Sequence, residues 1–163
     1  MSRTSLPEGF VADLPQWFRD EPKAEFGDEF VKKTFYGAPA PDHSGRHVGG
    51  HSYGHLSPEK PIHTTVGRAW TEEDIRKAIE LTVTRPQWAG KRGTRRVLRR
   101  DIDGTVFEAR YSYSSKRNTS TLLNFHPIAG KDITIYLHGE AFSGVHTYDW
   151  LKGDFMTADQ LNL

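Results

Sequence analysis

Five of the chain's eight histidines, His43, His47, His51, His55 and His63, fall within 21 residues, interleaved with Gly45, Gly49, Gly50 and Gly54 and flanked by Arg46 and Lys60. Imidazole is the side chain whose ordinary pKa lies nearest neutrality, so such a cluster points first to proton transfer. Cutting RNA without a metal needs three things: a base for the 2′-hydroxyl proton, an acid for the leaving 5′-oxygen, and a cation for the charge growing on the phosphate. Two histidines and Lys60 would meet that need, and RNA carries its own nucleophile. That last point matters because the chain has no cysteine and no Gly-x-Ser-x-Gly elbow.

Metal binding is the competing chemistry. His47, His51 and His55 recur every four residues, which would align them on one face of a helix, but the glycines between them disfavour that helix. No carboxylate lies between His43 and Leu56 to complete a mixed ligand set. No metal and no cofactor is therefore expected, and a His-metal nuclease stays as an alternative.

Charge is unevenly distributed although the net charge is only +1. Seven carboxylates stand against Arg19 and Lys23 between Glu8 and Glu29. Between Leu81 and Arg100 there is no acid, while Arg85, Lys91, Arg92, Arg95, Arg96, Arg99 and Arg100 are all cationic. Such a segment suits a polyanion such as RNA, with Arg92 and Arg95 as candidate backbone contacts. A non-catalytic nucleic-acid-binding protein, of phage or mobile-element kind, would use the same cations, with Trp88, Tyr111 and Tyr113 as stacking platforms.

The elements that must hold these residues follow from pattern. Prolines at 7, 15, 22, 39 and 41 restrict the first 42 residues to short helices, expected at Leu14–Asp20 and Glu25–Thr34, and their aromatics should fold this arm onto the body. The His/Gly stretch reads as a loop. Thr71-Glu72-Glu73-Asp74 is a capping box, and Ile75, Ala78, Ile79 and Val83 recur at helical spacing up to Pro86. A loop over Gln87–Thr94 precedes strands at Arg95–Ile102 and Thr105–Ser114, joined by the hairpin turn Asp103-Gly104. Further strands are expected at Thr121–His126, Ile133–His138 and Ala141–Tyr148. In the second strand Phe107, Ala109, Tyr111 and Tyr113 alternate with Glu108, Arg110 and Ser112, which predicts one buried and one polar face. The fold class is α+β: an N-terminal helical arm (1–42), then a body (43–149) with one main helix packed on an antiparallel β-sheet, then a tail (150–163).

In that order and spacing, Gly49-Gly50-His51-Ser52, Lys60, the helix opened by Trp70-Thr71, the Asp-Gly hairpin and Leu122-Leu123-Asn124-Phe125-His126-Pro127 resemble bacterial EndoU-type ribonuclease toxin domains. A fainter resemblance, through His43, His47-Val48-Gly49 and Asn124–Pro127, is to the RNase A-like bacterial toxin domains. The resemblance implies metal-independent endoribonuclease activity through a 2′,3′-cyclic phosphate. It implies His51 as a catalytic histidine, Lys60 as the phosphate-stabilising cation, and Thr121, Asn124 and His126 at the substrate-contacting strand. The partner of His51 stays open among His43, His47 and His126. It further implies RNA, tRNA included, as substrate, a cognate immunity protein as partner, and delivery into a target-cell cytoplasm without a visible signal peptide, or otherwise a cytoplasmic place. No stretch has the length and apolarity of a membrane span.

Overall fold

A computed structural model describes residues 14–39, 47–52, 62–137 and 140–146, with backbone alone at residues 39, 47–49, 62, 137, 141 and 143–146. Its centre is an antiparallel sheet of six strands: β3 (Ile62–Val66), β4 (Trp88–Arg92), β5 (Arg95–Ile102), β6 (Thr105–Ser114), β7 (Thr119–Leu137) and β8 (Glu140–His146). The strand order is β3-β7-β6-β5-β4, with β8 beside the second half of β7. Helices α1 (Gln16–Asp20), α2 (Asp28–Tyr36) and α3 (Glu72–Thr84) accompany it, and a two-stranded ribbon joins β1 (Gly37–Pro39) to β2 (His47–Gly49). The α+β expectation is met.

The capping box closes α3 as its sequence demands. Asp74 N–H donates to Thr71 Oγ1 at 3.2 Å, and Thr71 N–H donates to Asp74 Oδ2 at 3.0 Å. Ile75, Ala78, Ile79 and Val83 then form one apolar stripe. It is buried against Leu98, Ile102, Phe107, Ala109, Tyr111 and Phe125 on one face of the sheet. Trp70 meets Phe107 edge-on at 5.1 Å, and Phe107 stacks on Phe125 at 5.0 Å. Phe18, Ala24 and Val31 join the same core, so residues 14–36 fold onto the body. Glu25 reinforces the attachment by bridging to the β7 edge through Ser120 and Leu122.

Four expectations need correction. The segment read as a loop over Gln87–Thr94 holds strand β4, because Trp88 to Arg92 pair residue by residue with Arg99 to Arg95. The two strands expected on either side of Pro127 are one, β7. A register shift beside the Phe107–Pro127 pair lets the strand pass a residue that cannot donate to the ladder. The His/Gly stretch read as a loop holds strand β2 and the first residues of β3. The fourth concerns the polar face of β6. Glu108 is wholly buried there, not solvated, and Val97, Arg99 and Val106 are buried beside it.

Candidate functional site

The sheet face opposite α3 carries the chemistry. Cross-strand neighbours share a face, so the pairs Arg99–Glu108 and Glu108–His126 set Arg99, Glu108 and His126 in one row across β5, β6 and β7. Two residues along, Val97, Arg110 and Asn124 form the next row. Glu108 anchors both. Its Oε2 accepts from Arg99 Nε at 2.9 Å, its Oε1 accepts from Arg110 Nε at 2.6 Å, and Oε1 also stands 3.8 Å from His126 Nε2. Arg99 and Glu108 are both 0 % exposed, and Trp88 covers the Arg99 guanidinium at 4.2 Å.

His51 reaches this row from a distant part of the chain. Three backbone hydrogen bonds fix it: its N–H donates to Thr34 O at the end of α2, its carbonyl accepts from Val66 N–H, and the next residue, Ser52, donates to Phe35 O. The last carbonyls of a helix have no partner within it, and the His51-Ser52 segment supplies two. The His51 ring lies parallel to that of His63 at 4.7 Å and to that of His126 at 5.9 Å, with Tyr136 beyond His63 at 6.4 Å. His51 Nδ1–H donates to Thr64 O at 2.5 Å, and His63 Nε2–H donates to Gly50 O at 2.6 Å. A carbonyl only accepts, so these bonds fix both tautomers and make Nε2 the basic nitrogen of neutral His51.

At the other end of the same face lies a cavity of about 360 Å³ lined by Arg92, Arg95, Arg96, Val97 and Arg110. The Arg96 side chain turns to the α3 side of the sheet, over Trp17 and Tyr113, where a two-pronged ion pair with Glu21 at 2.8 and 2.9 Å holds it. That pair, with the negative charge of Glu21 close by, raises the Arg96 pKa above its ordinary value.

Of the sequence-predicted residues, His51 and His126 come together. Asn124 is exposed and stands opposite Arg110, Thr121 is exposed at the same end of β7 opposite Ser112, and Arg92 and Arg95 line the cavity. His47 lies in β2, its side chain outside the description, and His43 and Lys60 lie outside the described residues. The basic stretch is not a continuous charged surface, because Arg96, Arg99 and Arg100 are buried. Tyr111 is buried too and cannot stack on a base. Sequence reasoning missed Arg99, Glu108 and Arg110. The one signal that could have found them is an acid at the centre of a strand, with Arg110 two residues on and Arg99 opposite it across the Asp103-Gly104 turn. His63, which the sequence pattern does not single out for catalysis, stacks beside His51. Among the described residues, no group of three His, Asp or Glu is arranged to hold a metal ion, and no helix is long and apolar enough to cross a membrane.

No family model, no curated protein and no solved structure matches this chain.

Proposed function

We propose that this protein is a metal-independent endoribonuclease of the bacterial toxin type. His51 and His126 act as its acid–base pair. The observation that carries the reading is the 5.9 Å approach of the two rings, next to a sheet face rich in arginine. Glu108 is the less suitable base, since it is fully buried with both oxygens engaged by guanidiniums. Its role is to position His126 and Arg110.

In the reaction, neutral His51 takes the 2′-hydroxyl proton on Nε2 and O2′ attacks phosphorus. The P–O5′ bond breaks while His126, protonated near the Glu108 carboxylate, gives its proton to O5′. A 2′,3′-cyclic phosphate and a 5′-hydroxyl result. Arg110 lies where it can meet the charge developing on the phosphoryl oxygens. The histidine cluster and the EndoU-like motif order support the same reading. A cognate immunity protein with an acidic surface would complete it, set against Lys91, Arg92 and Arg95.

Purified protein incubated with total RNA in EDTA tests this. Cleavage is expected, with products ending in cyclic phosphate, and His51→Ala should abolish it. RNA left intact, or cut equally well by His51→Ala, overturns the proposal. Rescue only by divalent ions would select the metal-nuclease alternative. Salt-sensitive binding without cleavage would select the binding-only reading, which the arginine cavity favours by itself.

A further inference from the structure

The arginine cavity sits beside the histidine pair, not on it, and one residue belongs to both. Arg110 lines the cavity, and its Nε donates to the Glu108 oxygen that faces His126. At this junction Arg99 and Arg110 share the Glu108 carboxylate, and Arg92 and Arg95 line the cavity beyond Arg110. The exposed Arg92 and Arg95 bring positive charge to the cavity mouth. Lys91, also exposed, adds to it.

Resting on the ribonuclease reading, we infer that this cavity is a phosphate subsite for single-stranded RNA. It would take a backbone phosphate on one side of the bond that is cut. The geometry suits a strand more than a free anion. Val97 in the cavity floor is two strands across and two residues along from His126, a separation of roughly 10–12 Å from sheet spacings. An extended chain spans that gap in one or two nucleotide steps, crossing the β-strands from β5 to β7. The path between passes the exposed Asn124, which stands opposite Arg110. A cavity of about 360 Å³ is at the small end of ligand sites, which run to about 300–1,000 Å³. It holds a phosphate with its sugar and has no depth for a duplex. Guanidinium forks match phosphate oxygens two at a time, which favours arginine at this position.

The test uses a fluorescein-labelled 2′-O-methyl oligonucleotide, which lacks the nucleophile and cannot be cut. Its affinity is measured across a salt series for the wild type, for Arg92→Ser/Arg95→Ser and for His126→Ala. Both arginines are exposed, so the double variant should fold. The double variant is expected to bind at least tenfold more weakly, with a salt dependence shallower by about one unit for each phosphate no longer neutralised. His126→Ala should keep the wild-type slope. Where cleavage is observed, the double variant should lose activity on longer RNA and keep it on a dinucleotide, which cannot reach the cavity. Unchanged affinity and slope in the double variant overturn the subsite, whether or not the protein cleaves RNA. Weakened binding with no cleavage by the wild type keeps the subsite and rejects the ribonuclease reading alone.

Discussion

The imidazoles of His51 and His126 stack with centroids 5.9 Å and planes 29° apart, although one follows the end of strand β2 and the other sits in the middle of a long strand. Each is positioned by different means. His51 is held through its backbone to α2 and β3 and through Nδ1 to Thr64 O. His126 is set by its place in β7 opposite Glu108. An acid and a base on separate supports can keep their spacing while substrate enters between or beside them.

If the two rings divide the proton work, replacing either with alanine should lower kcat/KM for RNA by about 10²–10⁴, the usual range for one general acid or base. The double variant should be little worse than the more damaged single one, because residues acting in one step are not additive. The wild-type pH–rate profile should be bell-shaped, falling at acid pH as the base is protonated and at alkaline pH as the acid loses its proton. Each single variant should lose one limb. Steady-state kinetics on a fluorogenic oligonucleotide from about pH 4 to about pH 9 would decide this, and a profile unchanged in shape would reject the pairing.

Glu108 gives a prediction about stability. Its carboxylate compensates Arg99, and both are 0 % exposed. Glu108→Gln keeps the shape and removes the charge that faces this buried guanidinium. Breaking one side of such a pair costs about 3–5 kcal/mol, on the order of 10 °C in Tm for a chain of this size. Removing both charges, as in Arg99→Met/Glu108→Met, should restore most of that loss. A thermal melt of the three variants measures it. A double variant no better than Glu108→Gln would mean that the packing of Trp88 over Arg99, and not charge balance, dominates.

How far the sequence was legible varies by element, for physical reasons. Helix α3 is written locally: its cap, its apolar spacing and its closing proline all lie within sixteen residues, Thr71 to Pro86. The β5–β6 hairpin is equally local, with Asp103 (φ 55°) and Gly104 (φ 88°) adopting the positive φ that an Asp-Gly turn requires. Strand β4 is not local. Trp88-Ala89-Gly90-Lys91-Arg92 has neither alternation nor β-branched residues and becomes a strand only by pairing with β5. The candidate site was half legible. His51 and His126 stood out by type and motif. Glu108 and Arg110 did not, since alternation assigns charged residues to solvent and cannot see that this second face is buried. Nor does any spacing announce that an antiparallel β3 delivers His63 beside His51.

Gly130 is the joint of β7, where pairing with β6 gives way to pairing with β8. Its φ is +93°, and a Cβ there would collide with Gly104 O, a backbone atom with no freedom to retreat. Gly130→Ala must therefore separate β7 from the Asp103-Gly104 turn, including the Lys131 N–H bond to Gly104 O at 2.9 Å. The expected loss exceeds about 2 kcal/mol, the combined scale of a strained non-glycine φ and a broken backbone hydrogen bond. Denaturant unfolding with an unchanged m-value checks it. A loss below about 0.5 kcal/mol would show that the joint can shift freely.

Arg100 points the other way, toward a stabilising substitution. It lies on the α3 face of the sheet opposite Phe107, wholly buried, with one Nη1–H bond to Arg85 O at 3.1 Å. Among the described residues, its Nε and Nη2 have no hydrogen-bond partner. Burial, with the like charge of Arg85 adding to it, brings its pKa down from the ordinary arginine value to about 10. A base whose pKa is lowered on folding is harder to keep charged in the folded state. The cost is therefore present in full below about pH 10 and fades as pH rises above that value. Arg100→Met keeps the length of the stem, fits beside Leu98 and Ile102, and removes the buried charge, at the loss of one bond to the end of α3. The net gain at about pH 7 should be about 1–3 kcal/mol, or a few degrees in Tm at ~2–4 °C per kcal/mol. Stability curves of both proteins should converge between about pH 10 and about pH 12 as the wild type loses its penalty. A lower Tm for Arg100→Met at neutral pH would show instead that the bond to Arg85 outweighs the cost of burying the guanidinium.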